Sequence, residues 1–467
     1  MNAAASGAHA PMIMDIAEAA EAIGGEAIGP RVAFSGVGTD SRHVAAGDLF
    51  VALRGDKFDG HAYVEEAARQ GAVAALVSRR IESAVAIPQV LVDDTLTGLG
   101  RLAADWRNRF ALPVLALTGS NGKTTVKEML AAILAAHCGG RDPVLATRGN
   151  LNNAIGVPLT LLRLREQHRY AVIEMGMNHV GEIAYLARLA TPGFALVNNA
   201  QRAHLGPMGS LDAIAQAKGE IYSGLRAGGV ALVNADDRFA AYWEGLNAGR
   251  RVVTFGLSPN ADVHATVEGP QVRFVTPADA FAVKLQVAGE HNARNACAAC
   301  AAAFALEIPP HAIQMGLAGF EGVLGRLTRR AGRNGALVID DSYNANPDSM
   351  KAALKVLGQA PGRKVFVMGD MGELGEGAVQ MHAQVGACAH AAGADALYAL
   401  GIASVHAAEA FGSGGRHFDS LDGLLAALEP ELTPGATVLV KGSRFMAMER
   451  VASAIAELGA AGGGHAA

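Results

Sequence analysis

Aromatic residues make up only 5% of this 467-residue chain, and it holds four cysteines. So few cysteines exclude a disulfide framework. Cys297 and Cys300 form a C-x-x-C, but it lies inside the run ACAACAAAFAL, with nothing nearby resembling a thioredoxin-like turn. On a helix both thiols share one apolar face and are expected as small buried core residues. Basic residues are also scarce: 39 Lys and Arg against 44 Asp and Glu give a net charge of −5. They are dispersed, so no basic stripe is available to bind nucleic acid by phosphate neutralisation. A small phosphorylated ligand stays compatible. No stretch reaches the roughly 18 uninterrupted apolar residues of a membrane span. The N-terminal MNAAASGAHAPM has neither the positive region nor the long apolar region of a secretion signal. The expectation is a soluble, cytoplasmic chain, monomeric by default, whose Ala/Gly/His-rich ends (residues 1–10 and about 459–467) fray.

What is abundant is aliphatic residues and glycine. Hydrophobic residues reach 51%, and several of the 57 glycines close apolar runs, where α/β proteins place ligand loops. The length exceeds one compact core. Residues 1–112 hold short strand candidates, DLFVAL, AALV and QVLVDD, mixed with helical stretches such as VEEAARQG. They show no run of buried parallel strands and suggest a small α/β domain. Residues 113–328 alternate apolar runs (VLALTGS, YAVIEMG, FALVNNA, GVALVNADD, RVVTFG) with helical periodicity, which predicts a parallel sheet covered on both faces. Residues 264–287 alternate like hairpin strands at one edge, and HNARNACAACAAAFAL returns to a helix. Residues 329–467 repeat the layered pattern with ALVIDDSYN, KVFVMGD, ALYALG and TVLVKGS, a second, Rossmann-like doubly wound unit.

Between the first strand and first helix of the central block lies TGSNGKTT, residues 118–125. Gly119 and Gly122 permit a tight turn whose amides approach phosphate oxygens, and the following helix adds the partial positive charge of its N-terminus. Ser120, Asn121 and Thr125 complete the cradle. Lys123 can reach the β- and γ-phosphates, and the Thr124 hydroxyl suits Mg²⁺. The standard spacing wants glycine at Leu117, so this is a shortened variant. The loop predicts ATP binding. Kinases, ATPases and ligases all use such a loop, so the reaction stays open at this point.

Further motifs accompany it: TDSR with GDLFVALRGDKFDGH, GNLNNAIGVPLTLL, AVIEMGMNHVGEI, NNAQRAHLGPMGS, AKGEIYSGL, HNARNACAA, GRL, DDSYNANPDSM, GDMGELG and KGSR. As a set, from about Thr39 to about Glu449, the chain resembles the Mur ligases, which add amino acids or a dipeptide to the UDP-linked peptidoglycan precursor. DSYNANPDSM points to the dipeptide-adding branch. The resemblance implies three domains: residues 1–112 for the UDP-sugar, 113–328 for ATP and 329–467 for the dipeptide. It implies that D-alanyl-D-alanine is joined to the terminal carboxylate of UDP-N-acetylmuramoyl-tripeptide through an acyl phosphate, with ATP as co-substrate and two Mg²⁺ ions. Screening is needed because carboxylate and γ-phosphate repel each other.

Residue by residue, the resemblance implies Glu174, at a strand end, as a Mg²⁺ ligand; a solvated strand-end carboxylate is the alternative. Asn178 and His179 follow in the same loop and could approach the substrate. His204 would hold the second Mg²⁺, although a lone loop histidine is more often no ligand. Lys218 would be carbamylated by CO₂ into an anion that supports the metal; otherwise it is an exposed helical lysine. Asn292 and Asn295 would meet adenine, with helix capping by Asn292 competing. Arg326 would reach nucleotide phosphate and Asp340 the ribose or the interdomain hinge, or the two would form an ordinary linker salt bridge. Asp341, Tyr343, Asn344, Asn346 and Pro347 would form the dipeptide loop. Lys441 and Arg444 would meet the dipeptide carboxylate, or be solvated cations at a turn. Thr39, Ser41 and Arg42 have suitable groups for uridine and pyrophosphate, and Asn152 and Asn153 for the route to the reaction centre. The nearest rival is the ligase that adds the third peptide residue; folylpolyglutamate synthase, a kinase or regulatory ATPase, and an inactive binding protein are the others, and the last could dispense with Glu174, His204 and Lys218 together.

Overall fold

The computed structural model describes residues 13–82, 85–268 and 271–457. The ends expected to fray lie outside them. Three sheets organise the chain, of five, nine and six strands, with two short two-stranded ribbons beside them.

The five-stranded sheet runs Glu26–Ile28, Gln89–Leu91, Ala74–Val77, Asp48–Val51, Gly36–Gly38. Its last four strands are parallel, and Ala74–Val77 is buried throughout. This corrects the expectation that the first block lacks a buried parallel run. The strands span only three or four residues each, too short for periodicity to separate a two-sided strand from a helix turn. Helices supply the cover: Val64 and Ala67 pack on one face against Phe50 and Ala75, while Leu99 and Leu102 pack on the other against Leu49 and Leu76.

The nine-stranded sheet is parallel from Val144–Ala146 through Tyr170–Glu174, Val114–Thr118, Phe194–Val197, Val230–Asn234 and Arg251–Gly256 to Val263–Glu268. Gln271–Val275 and Ala280–Val283 then extend it antiparallel, the predicted hairpin edge. The Val144–Ala146 edge strand has three residues and escaped sequence reading. The Glu290–Ala305 helix buries a nearly continuous alanine surface with Cys297 and Cys300 inside it, as expected. Small side chains let that helix lie close to the sheet and to the Lys123–Cys138 helix, so the core needs few aromatics. The Val114–Thr118 strand has Tyr170–Glu174 on one side and Phe194–Val197 on the other. The chain leaves Val114–Thr118 toward the Val144–Ala146 edge and leaves Phe194–Val197 toward Val230–Asn234 on the other side, which opens a crevice at the carboxyl ends of these two strands.

In the six-stranded sheet, Thr328–Ala331 is an antiparallel edge; Leu337–Asp341, Thr437–Lys441, Lys364–Gly369, Ala396–Leu400 and Gly415–Phe418 follow in parallel. Apolar layers cover both faces. Among the described residues no helix is long and apolar enough to cross a membrane.

Candidate active site

A cleft of about 1250 Å³ opens at the crevice of the central sheet, bounded by Leu96 from the first unit, the phosphate loop, and Tyr343 and Lys441 from the third. The loop lies where the sequence placed it. Leu117 is fully buried inside the strand, in register with Glu174 and Leu196, so a glycine there would serve no turn. Gly122 carries the turn at φ +78°; a Cβ there would lie 2.2 Å from Asn295 Oδ1. No side chain caps the Lys123–Cys138 helix at its N-terminus, which leaves the first-turn amides to a ligand. Lys123 Nζ folds back, donating to the carbonyls of Gly119 (2.7 Å) and Ser120 (3.3 Å). Burial holds its ammonium below the usual lysine range, partly offset by Glu174.

Glu174 ends its strand at 2% exposure, so it is not a solvated carboxylate. Oε1 accepts from Asn152 Nδ2 at 2.8 Å; Oε2 is buried without a partner. Such an oxygen is costly unless a ligand satisfies it. Thr147 accepts the Glu174 amide at 2.9 Å, and Lys127 Nζ in turn holds the Thr147 carbonyl at 2.6 Å. Lys218 is 2% exposed with no ion-pair partner among the described residues, which removes the reading as an exposed helical lysine. Burial, reinforced by the Lys123 ammonium, pushes its basicity well down. His204 lines the cleft from a left-handed backbone conformation (φ +61°), its buried Nδ1 in ion-pair contact with the Glu373 carboxylate but not aligned for a hydrogen bond. Among the described residues no three His, Cys, Asp or Glu side chains cluster as a ready metal site. Mg²⁺ characteristically takes one or two carboxylates plus phosphate oxygens and water. Glu174, His204 and the Thr124 hydroxyl fit such an incomplete shell.

Asn292 and Asn295 line the cleft beside Gly122. Asn292 does not cap its helix: its Nδ2 donates back to the Ala288 carbonyl at 2.8 Å. Arg326 donates to Thr124 Oγ1 at 3.0 Å and stacks 4.2 Å above the ring of Tyr343, which belongs to the third unit, and so links that unit to the phosphate loop. Asn346 caps the Pro347–Gly358 helix through a capping box, and its Nδ2 reaches Asn121 Oδ1 at 2.8 Å. Arg444 also faces Tyr343 while paired with Glu449. Asn152, Asn153, Asn178, Asp341 and Asn344 also line the cleft.

Several expected residues lie outside the cleft lining or are committed to other partners. Asp340 turns away from the cleft, accepting from Ser342 Oγ at 2.5 Å and facing Arg330 at 3.6 Å; the salt bridge is real, but its partner is not Arg326. Lys441 is neither solvated nor free: it is 3% exposed and bound to Asp341 at 2.5 Å, the two being register neighbours on adjacent strands. His179 pairs with Glu182 and is not part of the cleft lining. Thr39, Ser41 and Arg42 lie in the first unit, outside that lining, where Ser41 donates to Glu66 at 3.2 Å and Arg42 grips Asp40 at 2.7 Å.

Comparison with known proteins follows this layout. Residues 33–107 match the Mur ligase family catalytic domain, 117–303 the Mur ligase middle domain, and 325–444 the Mur ligase glutamate ligase domain. A UDP-N-acetylmuramoyl-tripeptide–D-alanyl-D-alanine ligase of Escherichia coli K12 is 43% identical, over 95% of this chain and 98% of that protein. The chain belongs to the Mur ligase family.

Among solved Mur ligases, a MurF structure from Acinetobacter baumannii superposes with a TM-score of 0.88 at 38% identity, covering 95% of this chain and 99% of that one. A Thermotoga maritima MurF ligase solved in complex with ADP gives 0.77 at 28% identity, covering 90% and 96%. This Mur ligase is thus an ATP-dependent ligase, and four of its supporting groups escaped sequence reading. Asn199 accepts the Asn121 amide at 2.9 Å, and Gln201 accepts from Asn121 Nδ2 at 2.6 Å, so the segment after one strand moulds the loop after its neighbour. Glu220 receives the amides of Gly181 (2.8 Å) and Ala184 (3.1 Å), clamping the start of the Glu182–Ala190 helix after the loop that follows Glu174. Arg202 meets Asp348 of the third unit at 2.6 Å. All four occur in motifs that carried the resemblance; the signal was there, but no spacing rule connects residues up to 146 positions apart.

Proposed function

We propose that this Mur ligase joins D-alanyl-D-alanine to the terminal carboxylate of UDP-N-acetylmuramoyl-tripeptide, giving the pentapeptide precursor, ADP and phosphate. One observation carries the reading. A nucleotide loop, a buried carboxylate oxygen without a partner and the DSYNANPDSM loop share one cleft, in a chain whose full-length relative bears that activity in its name. In this reading residues 1–112 hold the UDP-sugar through Thr39, Ser41 and Arg42, residues 113–328 hold ATP, and residues 329–467 hold the dipeptide through Tyr343, Asn344 and Arg444. The protein acts in the cytoplasm, where ATP is available, as a monomer.

The chain's own groups do the following. The loop amides and Lys123 orient the γ-phosphate, Asn292 and Asn295 face the base, and Arg326 follows the phosphates when it leaves Thr124. Glu174, His204, Thr124 and a modified Lys218 would hold two Mg²⁺ ions, which when bound would screen the repulsion between γ-phosphate and carboxylate. Lys218 suits modification because burial, together with the Lys123 ammonium, disfavours its charged form and favours the nucleophilic amine. Addition of CO₂ to the unprotonated Nζ forms the N–C bond and, with loss of one N–H proton, gives a carbamate that places an anion where the free side chain has an uncharged amine. Seating of the third unit excludes water from the acyl phosphate.

The test follows phosphate release with ATP, Mg²⁺, UDP-N-acetylmuramoyl-tripeptide and D-alanyl-D-alanine, omitting one component at a time. Every omission should abolish sustained release. Release unchanged without the dipeptide would replace the ligase reading with that of a kinase or ATPase.

A further inference from the structure

The contact between His204 and Glu373 links residues of different units. His204 follows a strand of the central sheet, whereas Glu373 follows Lys364–Gly369 of the third. Both hold left-handed backbone conformations, φ +61° and +59°. Such conformations are uncommon outside glycine and persist where the surroundings enforce them. Each turns its side chain toward the other. The approach is fixed twice more, by the Gly206 amide donating to the Glu373 carbonyl at 2.8 Å and by the Arg202–Asp348 pair two residues before His204.

We infer that Glu373 is a positioning residue that keeps His204 protonated on Nδ1, so that Nε2 carries the lone pair available to a metal ion once the third unit is seated. The inference rests on the proposed metal role of His204. Its physical basis is general: a metal-binding imidazole usually donates its other N–H to a carboxylate, which selects the tautomer, fixes the ring and strengthens the ligand. Here that carboxylate arrives from another unit, so metal affinity and domain seating become linked. Nothing else is required of Glu373: it is exposed on one side and does not line the cleft.

Two readouts independent of turnover test this in the full chain. Nitrogen-15 NMR of histidine-labelled, metal-free protein, with the His204 signal assigned from His204→Gln, should show Nδ1 protonated in the native chain. Glu373→Ala should lose that preference, and Glu373→Gln, which still offers an acceptor oxygen, should retain most of it. Mn²⁺ affinity in the presence of a non-hydrolysable ATP analogue, read by electron paramagnetic resonance, should fall about 10- to 100-fold in Glu373→Ala and less in Glu373→Gln. An unchanged tautomer or unchanged Mn²⁺ affinity in Glu373→Ala, with His204→Gln weakened, overturns the positioning role alone. Unchanged affinity in His204→Gln removes the metal role of His204 and this inference with it.

Discussion

An ammonium group buried without a counter-ion destabilises a fold unless it sheds its proton or acquires an anion. Lys218 is buried in that way, and the proposed carbamate would resolve it while supplying an anion to the proposed metal site. Replacing Lys218 with Ala should therefore abolish ligation without unfolding the chain, and millimolar short carboxylates should restore part of the activity; full activity in the variant would remove the lysine from the metal site. His291 is a second residue under strain from its surroundings. It lines the cleft, its Nε2 is buried without a partner, and burial lowers its pKa to about 4, helped by Lys441, Arg294 and Lys355. The unfolded chain, with a histidine near its ordinary value of about 6.5, binds the proton more readily. Stability is accordingly unaffected above that value and declines as pH falls toward about 4, by roughly 3 kcal/mol at most. Urea unfolding between pH 7 and 4.5 should show this slope flattened in His291→Gln; an identical slope would mean that other groups carry the acid sensitivity.

The phosphate loop shows how far pattern reading reaches at the scale of an element. Strand, glycines and helix were all legible, because backbone geometry makes those demands within eight residues. The partners that shape the loop were not, since Asn198, Asn199 and Gln201 come from a strand end that neighbours it only in the folded sheet. Gly122 joins both levels. Its positive φ and its distance from Asn295 leave no room for a methyl group. Gly122→Ala should weaken ADP binding at least tenfold by calorimetry while the Glu290–Ala305 helix stays folded; wild-type affinity would show that the loop can move aside. The same contrast explains the first sheet. Its strands of three and four residues carry too little pattern for their parallel order to be read, whereas the longer central strands were recognised in sequence.

At the scale of the whole molecule, the polar contacts by which the third unit meets the central one include Arg202 with Asp348, Asn121 with Asn346, His204 with Glu373, and the Gly206 amide with the Glu373 carbonyl. Arg202 grips Asp348 in two-pronged fashion, Nη2 at 2.6 Å and Nε at 3.1 Å, and its amide adds a third bond at 2.9 Å. Charge-assisted bonds of this kind contribute about 1.5–3 kcal/mol when kept from water. Arg202→Ala should shift the chain toward a more open form, seen as a larger radius of gyration in X-ray scattering, and lower kcat/KM about tenfold or more. A scattering profile identical to the native one would assign the seating to the remaining contacts.

The order of sheets, the nucleotide loop, the alanine-rich helix with its buried thiols and the family were determined by the sequence itself, because each depends on local backbone demands or on motifs contiguous in the chain. Tertiary structure alone decided the rest. It committed Lys441 to Asp341, turned Asp340 to Ser342 and Arg330, and brought Glu373 to His204. Whether a charged side chain is a ligand or a strut depends on what lies within a few ångströms of it, and those neighbours come from strands and loops far apart in the chain.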